Sequence, residues 1–166
     1  MVYYQLFYHL VWATKNREPR ITESLEAILY NLLRTKAIGL EGSVFAINGV
    51  EDHVHMVVSI PPKVAVAAFI GQIKGIASAK LNQHYPSLTL FYWQDDYGAF
   101  SFDGKRLTNV IAYVENQKHH HAQRNTIPLL ERTEGEDAAR RFKENSAGYL
   151  VEDIVWRQEM LLLSAE

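Results

Sequence analysis

At 166 residues, with 48% hydrophobic and 22% charged side chains, the chain is long enough for one substantial core and has the balance of an ordinary globular domain. No apolar run approaches the ~18 residues that a membrane helix needs. The first residues lack the basic start and small-residue cleavage pattern of a secretory signal, and the lack of any cysteine excludes disulfides and thiolate metal sites. A net charge of -2 hides an uneven spread: residues 1–125 carry 12 Lys/Arg against 10 Asp/Glu, while residues 126–166 carry 5 against 9. The chain therefore divides into a body, 1–125, and an acidic extension, 126–166. Neither is a broad basic field, so any nucleic-acid contact must rest on a few placed cations.

Residues 3–13 alternate, with Tyr4, Leu6, Tyr8, Leu10 and Trp12 on one face and Tyr3, Gln5, Phe7, His9 and Val11 on the other, which predicts a strand. The loop KNREPR follows and holds Lys15, Arg17 and Arg20. Thr22 to Ile38 reads as a helix with Leu25, Ile28, Leu29 and Leu32 on one side, and Gly39 and Gly42 bracket its exit. SVFAINGV and HVHMVVSI predict two strands joined as a hairpin. Residues 63–82 predict a second helix that buries Val66, Phe69, Ile70, Ile73 and Ala77 and turns Lys74, Ser78 and Lys80 elsewhere. LTLFYW predicts a fourth strand. The order β-α-β-β-α-β is that of an α+β, ferredoxin-like split antiparallel sheet.

One more helix is predicted from Asp103, a good N-cap, to about Gln123, with Leu107, Val110, Ile111 and Val114 as its apolar stripe. At ~100° per residue a second stripe collects Arg106, Asn109, Tyr113, Gln117, His120 and Arg124. The acidic extension is expected to hold a helix near 131–145 and an apolar stretch, YLVEDIVW, able to dock.

Two pairs carry the chemistry. In EDHVHMVVS, residues 51–59, strand alternation sends Val54, Met56 and Val58 to one face and His53, His55 and Val57 to the other. Two same-face imidazoles can share a metal ion, although an isolated His-x-His more often marks two surface or half-buried strand histidines. Alternation turns Asp52 to the opposite face, and the run His119–His121 reads as a solvated helix end favoured by the helix dipole, or as a source of spare imidazoles. Tyr113 and Gln117 stand four apart on one helix face. They are an ordinary polar pair, or a nucleophile for covalent phosphoryl transfer beside an amide ligand to the histidines' ion. A phenol with a pKa near ~10 needs such an ion or a base to attack.

Five stretches in order resemble the small single-tyrosine transposases of the HUH superfamily, the IS two-hundred-like group with its relatives associated with repetitive extragenic palindromes. They are HLVWATKNR (9–17), EDHVHMVVSIPP (51–62), IKGIASAKL (73–81), WQDDYGAFS (93–101) and YVENQKHHH (113–121). The resemblance implies a divalent ion, Mg²⁺ or Mn²⁺, held by His53, His55 and Gln117, with His120 as a supporting residue. It implies attack by Tyr113 on a phosphate of single-stranded DNA, leaving a 5′-phosphotyrosine and a free 3′-OH. Because one phosphodiester replaces another, rejoining needs no ATP. Lys15, Arg17, Arg20, Lys74, Ser78 and Arg106 are the candidate DNA contacts. The resemblance further implies recognition of a DNA hairpin at a repeat or element end and a homodimer whose chains share active sites. It also implies a hinge at Tyr97–Ser101 freed by Gly98 and Gly104, and a cytoplasmic, nucleoid-associated location in a bacterium or archaeon. A non-catalytic nucleic-acid-binding module of the RNA-recognition type has the same element order and is the main alternative; a silent metal-binding protein of this fold is another.

Overall fold

A computed structural model describes residues 2–85 and 90–135. Among these the elements run β1 (Phe7–Ala13), α1 (Glu23–Gly39), β2 (Ser43–Val50), β3 (His53–Ser59), α2 (Val66–His84), β4 (Gly98–Phe102), α3 (Leu107–Glu115) and α4 (Gln117–Gln123). Short 3-10 turns occupy Lys15–Arg17, Gly104–Arg106 and Pro128–Glu131. The strands form one antiparallel sheet in the order β2-β3-β1-β4. This is the α+β, ferredoxin-like architecture that the element order predicts. No described helix is long and apolar enough to cross a membrane.

The two faces of the sheet have different fates. Leu10 and Trp12 of β1 and Val54, Met56 and Val58 of β3 pack under Leu29 and Leu33 of α1 and Phe69, Ile70 and Ile73 of α2. On the other face Ala46 and Val57 meet Val110, Tyr113 and Val114 of α3 and Leu130 beyond α4. Alternation along β3 therefore builds the main core with one set of side chains and floors the second face with the other. The end of α3 is tied to β2 by the Asn48 side-chain amide, which donates to Glu115 O at 2.7 Å.

Three expectations are corrected. The fourth strand is 98–102 and not LTLFYW. Residues 86–89 lie outside the described residues, and of the rest only Trp93 pairs, in a single bridge to Thr14. Phe91 and Trp93 run instead along α2: the Asn82 amide brackets the Phe91 backbone at 2.7 and 3.0 Å, and Trp93 Nε1 donates to Lys74 O at 3.1 Å. The outer edge of β1 is left to the next segment, which pairs Phe102 with Phe7 and Gly98 with Val11.

The long helix from 103 is also broken, at Asn116, where φ is -98° and ψ is 17°. The Asn116 side chain donates to Ala112 O at 2.8 Å and competes with the helix for that carbonyl. Last, residues 132–135 are not helical, so no helix starts at 131. The remainder of the helix expected near 131–145, and YLVEDIVW, lie outside the described residues.

Candidate active site

The hairpin between β2 and β3 turns on Glu51 and Asp52. Gly49 allows the close approach, since a Cβ there would stand 2.2 Å from His53 O. His53 and His55 then enter the sheet on the face that alternation predicts, both buried, with ring centroids 5.0 Å apart. Each has its Nδ1 occupied. His53 Nδ1 meets Asp52 Oδ1 at 2.5 Å, and His55 Nδ1 meets His9 Nε2 at 2.8 Å. Partners of this kind fix the ring and leave Nε2 for a ligand.

Asp52 was expected on the opposite face, but it precedes the strand, so its side chain swings back to His53 from the turn. Burial pulls His55 down to about 4, which keeps its imidazole neutral, and lowers His9 as well. Burial also works against a charged His53, yet the neighbouring Asp52 and Glu131 carboxylates raise it overall.

Tyr113 lies above this pair, buried, its ring centroid 6.4 Å from that of His55. Its hydroxyl donates to Glu131 Oε1 and accepts from the backbone N–H of Ile127 at 3.0 Å. Burial, then the bond to Glu131, pushes the phenol well above its usual range. His120 stacks on the Tyr113 ring at 4.8 Å. The other oxygen of Glu131, Oε2, stands 3.2 Å from His53 Nε2, 3.2 Å from His55 Nε2 and 3.4 Å from His121 Nε2. Burial favours the neutral acid, but the imidazoles of His53 and His55 outweigh it and hold the Glu131 carboxyl far below the usual range. Candidate ligand atoms of His53, His55, His121 and Glu131 all lie within 4.8 Å of one another, a group able to hold a metal ion.

Gln117 opens α4 fully buried, with neither amide atom hydrogen-bonded among the described residues. The polar stripe read from sequence is thus not a solvent face at Tyr113 and Gln117. The basic candidates disperse. Arg17 reaches the rim of the site, 3.5 Å from Asp52 Oδ2 and 3.2 Å from Thr133 Oγ1. Lys15 is exposed on the same turn. Arg20 pairs with Glu18, and Arg106 stands 3.9 Å from Asp103. Ser78 donates back to Lys74 O at 3.0 Å.

Lys74 corrects the expectation of a DNA contact. It is 8% exposed, its ammonium donates to the carbonyls of Gln94, Asp95 and Asp96 at 2.6, 3.1 and 3.4 Å, and burial lowers its pKa. Lys74→Met is expected to cost about 1–3 kcal/mol, a fall of several degrees in thermal midpoint. The salt slope of DNA binding should stay unchanged, whereas a phosphate contact would reduce it by about one.

Sequence reasoning missed His9 and Glu131 as parts of the site and set His121 aside. The run His119–His121 was a signal for one of them; a single Glu among nine acidic residues after position 125 was none.

Comparisons with known proteins give the family. The family model described as "Transposase IS200 like" matches residues 2–117. The ISDra2 transposase TnpA of Deinococcus radiodurans is 29% identical over 121 residues, 69% of this chain and 85% of that one. The transposase for insertion sequence element IS200 of Salmonella typhimurium is 25% identical over 114 residues, 66% and 75% of the two chains. Two solved structures share the fold. A proposed transposase from Deinococcus radiodurans R1 has a TM-score of 0.56 at 24% identity, over 70% of this chain and 93% of that one. A REP-associated tyrosine transposase bound to a REP hairpin has a TM-score of 0.54 at 12% identity, over 76% and 73%. With a family match that runs from before β1 to the first residue of α4, well over half its length, the chain belongs to the IS200-like transposase family.

Proposed function

We propose that this protein cleaves and rejoins single-stranded DNA through a covalent bond to Tyr113. The observation that carries the reading is the buried Tyr113, its ring 6.4 Å from that of His55 and its hydroxyl bonded to the Glu131 carboxylate that also meets His53 and His55. Tyr113 Oη attacks phosphorus, the bond to the 3′ oxygen breaks, and a 5′-phosphotyrosine forms. Glu131 Oε1 receives the phenol's hydrogen bond and so orients its oxygen; the phenol proton leaves to solvent as the bond to phosphorus forms, and the departing 3′ oxygen takes one up from solvent. The Ile127 N–H holds the phenol oxygen from the other side.

A divalent ion fits the donors present, Mn²⁺ more comfortably than Mg²⁺, which prefers an all-oxygen shell. His53 Nε2, His55 Nε2 and both amide atoms of Gln117 are buried with no hydrogen-bond partner among the described residues. His53 and His55, with Gln117 as the third donor, would hold the ion; when bound, it supplies positive charge that polarises the phosphate and steadies the leaving oxygen. The Asp52 carboxylate, as acceptor, favours the His53 tautomer with the proton on Nδ1 and Nε2 free, and His9 engages the Nδ1 of His55.

Lys15 and Arg17 at the rim are the favoured phosphate contacts, with Arg20 and Arg106 further candidates. A hairpin at a repeat or element end is the substrate we favour, since a relative of this fold was solved on a REP hairpin. A homodimer is expected. Residues 1–125 would form the catalytic domain and residues 126–166 an extension that adds Glu131.

The test is labelled single-stranded DNA carrying the gene's own flanks, incubated with protein and Mn²⁺ and resolved on a denaturing gel. A slow adduct abolished by chelator, with the nucleotide mapped to the Tyr113 peptide by mass spectrometry, is the expected result. DNA that binds but never becomes covalently attached would favour the binding-module alternative.

A further inference from the structure

We infer that the resting ion in this protein sits in a closed, four-ligand site made by His53, His55, His121 and Glu131, and that the site suits Zn²⁺-class transition ions over Mg²⁺. The inference rests on the same histidine pair as the proposed function but adds two ligands that lie beyond the family match, which ends at residue 117. Three imidazole Nε2 atoms converge on one carboxylate oxygen at 3.2, 3.2 and 3.4 Å. Among the described residues none of the three nitrogens has a hydrogen-bond partner, although all three are buried. Three ring nitrogens aimed at one oxygen without hydrogen bonds leave polar atoms stranded, at a cost of about 1–3 kcal/mol each. An ion among them would satisfy all three.

The spacing suits that ion. Ligands held ~2.0–2.1 Å from zinc in a tetrahedron stand about 3.3 Å apart, and the three distances to Glu131 Oε2 bracket that value. The remaining separations reach 4.8 Å, so a modest contraction completes the shell. The surroundings have the build of a metal centre. His53 and His55 are each braced through Nδ1, by Asp52 and His9. Glu131 is braced through Oε1 by the Tyr113 hydroxyl. Three imidazoles and one carboxylate favour zinc, cobalt or manganese; Mg²⁺ prefers six oxygens and keeps its waters.

The experiment is a Co²⁺ titration of the full chain stripped with chelator, read by visible absorption, with Zn²⁺ and Mg²⁺ as competitors. Four-coordinate Co²⁺ absorbs far more intensely than six-coordinate Co²⁺. Wild type is expected to give the intense spectrum, displaced by Zn²⁺ and untouched by excess Mg²⁺. Glu131→Gln and His121→Asn should each collapse it and weaken binding by at least the ~10–100-fold that loss of a mere supporting partner costs. His119→Asn, an exposed neighbour on the same helix, should change nothing.

A weak six-coordinate spectrum in wild type, or an intense one unmoved by both variants, would overturn the inference. Thermal melts of both variants confirm that each is folded. Adduct formation by wild type is read separately. Spectra that respond to both variants in a protein that forms no adduct support the ligand set and remove the DNA-cleavage reading. An adduct without the spectral response does the reverse.

Discussion

Tyr113→Phe should abolish the covalent DNA adduct while leaving a folded protein that still binds single-stranded DNA. The covalent step needs an oxygen nucleophile, and the ring alone offers none. Other tyrosines are badly placed to substitute: Tyr85 and Tyr92 are 37% and 55% exposed, and Tyr97 packs against the main core on the far face of the sheet. The substitution also has a structural cost. The phenol oxygen links the Ile127 N–H to Glu131, so its removal strips a partner from both. A loss of about 1–2 kcal/mol is expected, or roughly 2–8 °C in thermal midpoint for a chain of this size. Gel, DNA-binding titration and melt together separate the chemistry from the fold. An adduct of undiminished yield in the variant would move the nucleophile elsewhere. A melt unchanged within a degree would mean that the 127–131 segment does not dock on Tyr113 in solution.

What was legible in the sequence follows from what backbone geometry alone decides. The facing of His53 and His55 away from Val54, Met56 and Val58 is a period-2 consequence of strand formation, and it holds because β3 is central and regular. The burial of Leu25 and Leu29 in α1, and of Phe69, Ile70 and Ile73 in α2, follows from helical period in the same way. Where two segments compete for one edge, periodicity is silent. LTLFYW alternates better than GAFSF, yet Asn82 and the Lys74 carbonyl hold Phe91 and Trp93 along α2.

The site shows the same division. Projecting one continuous helix past Tyr113 put His120 and Gln117 on its face, but the break at Asn116 shifts the phase. His121 then points to the histidine pair, and His120 stacks on the phenol. His9 stands 46 residues from His55, and Glu131 stands 18 from Tyr113. No local pattern announces either, because their proximity exists only after the sheet and the last turn have packed. Lys74 failed for a related reason: its partners are three carbonyls of a loop twenty residues on, which a helical projection does not contain.

Gly98 separates the hinge reading from a packing reading. As a hinge, it should tolerate alanine with little change in stability and a change in activity. The structure puts it inside β4, paired with Val11, where a Cβ would lie 2.0 Å from the Arg132 carbonyl oxygen and 2.7 Å from Val11 Cγ1. Cβ contacts below about 3.0 Å do not occur, and the nearer obstacle is backbone, so something must shift by about an ångström. Overpacking of this kind costs about 1–3 kcal/mol and more where the obstacle cannot rotate away; Gly98→Ala should therefore lower the midpoint by roughly 6–12 °C at ~3 kcal/mol. Arg132 directly follows Glu131, so the same shift pulls the carboxylate from His53, His55 and His121. The alanine variant is thus expected to lose both stability and the intense Co²⁺ spectrum. Gly104, whose Cβ would meet nothing closer than Phe7 at 3.4 Å, supplies the contrast and should accept alanine within about a degree. A Gly98→Ala protein as stable as wild type would restore the hinge.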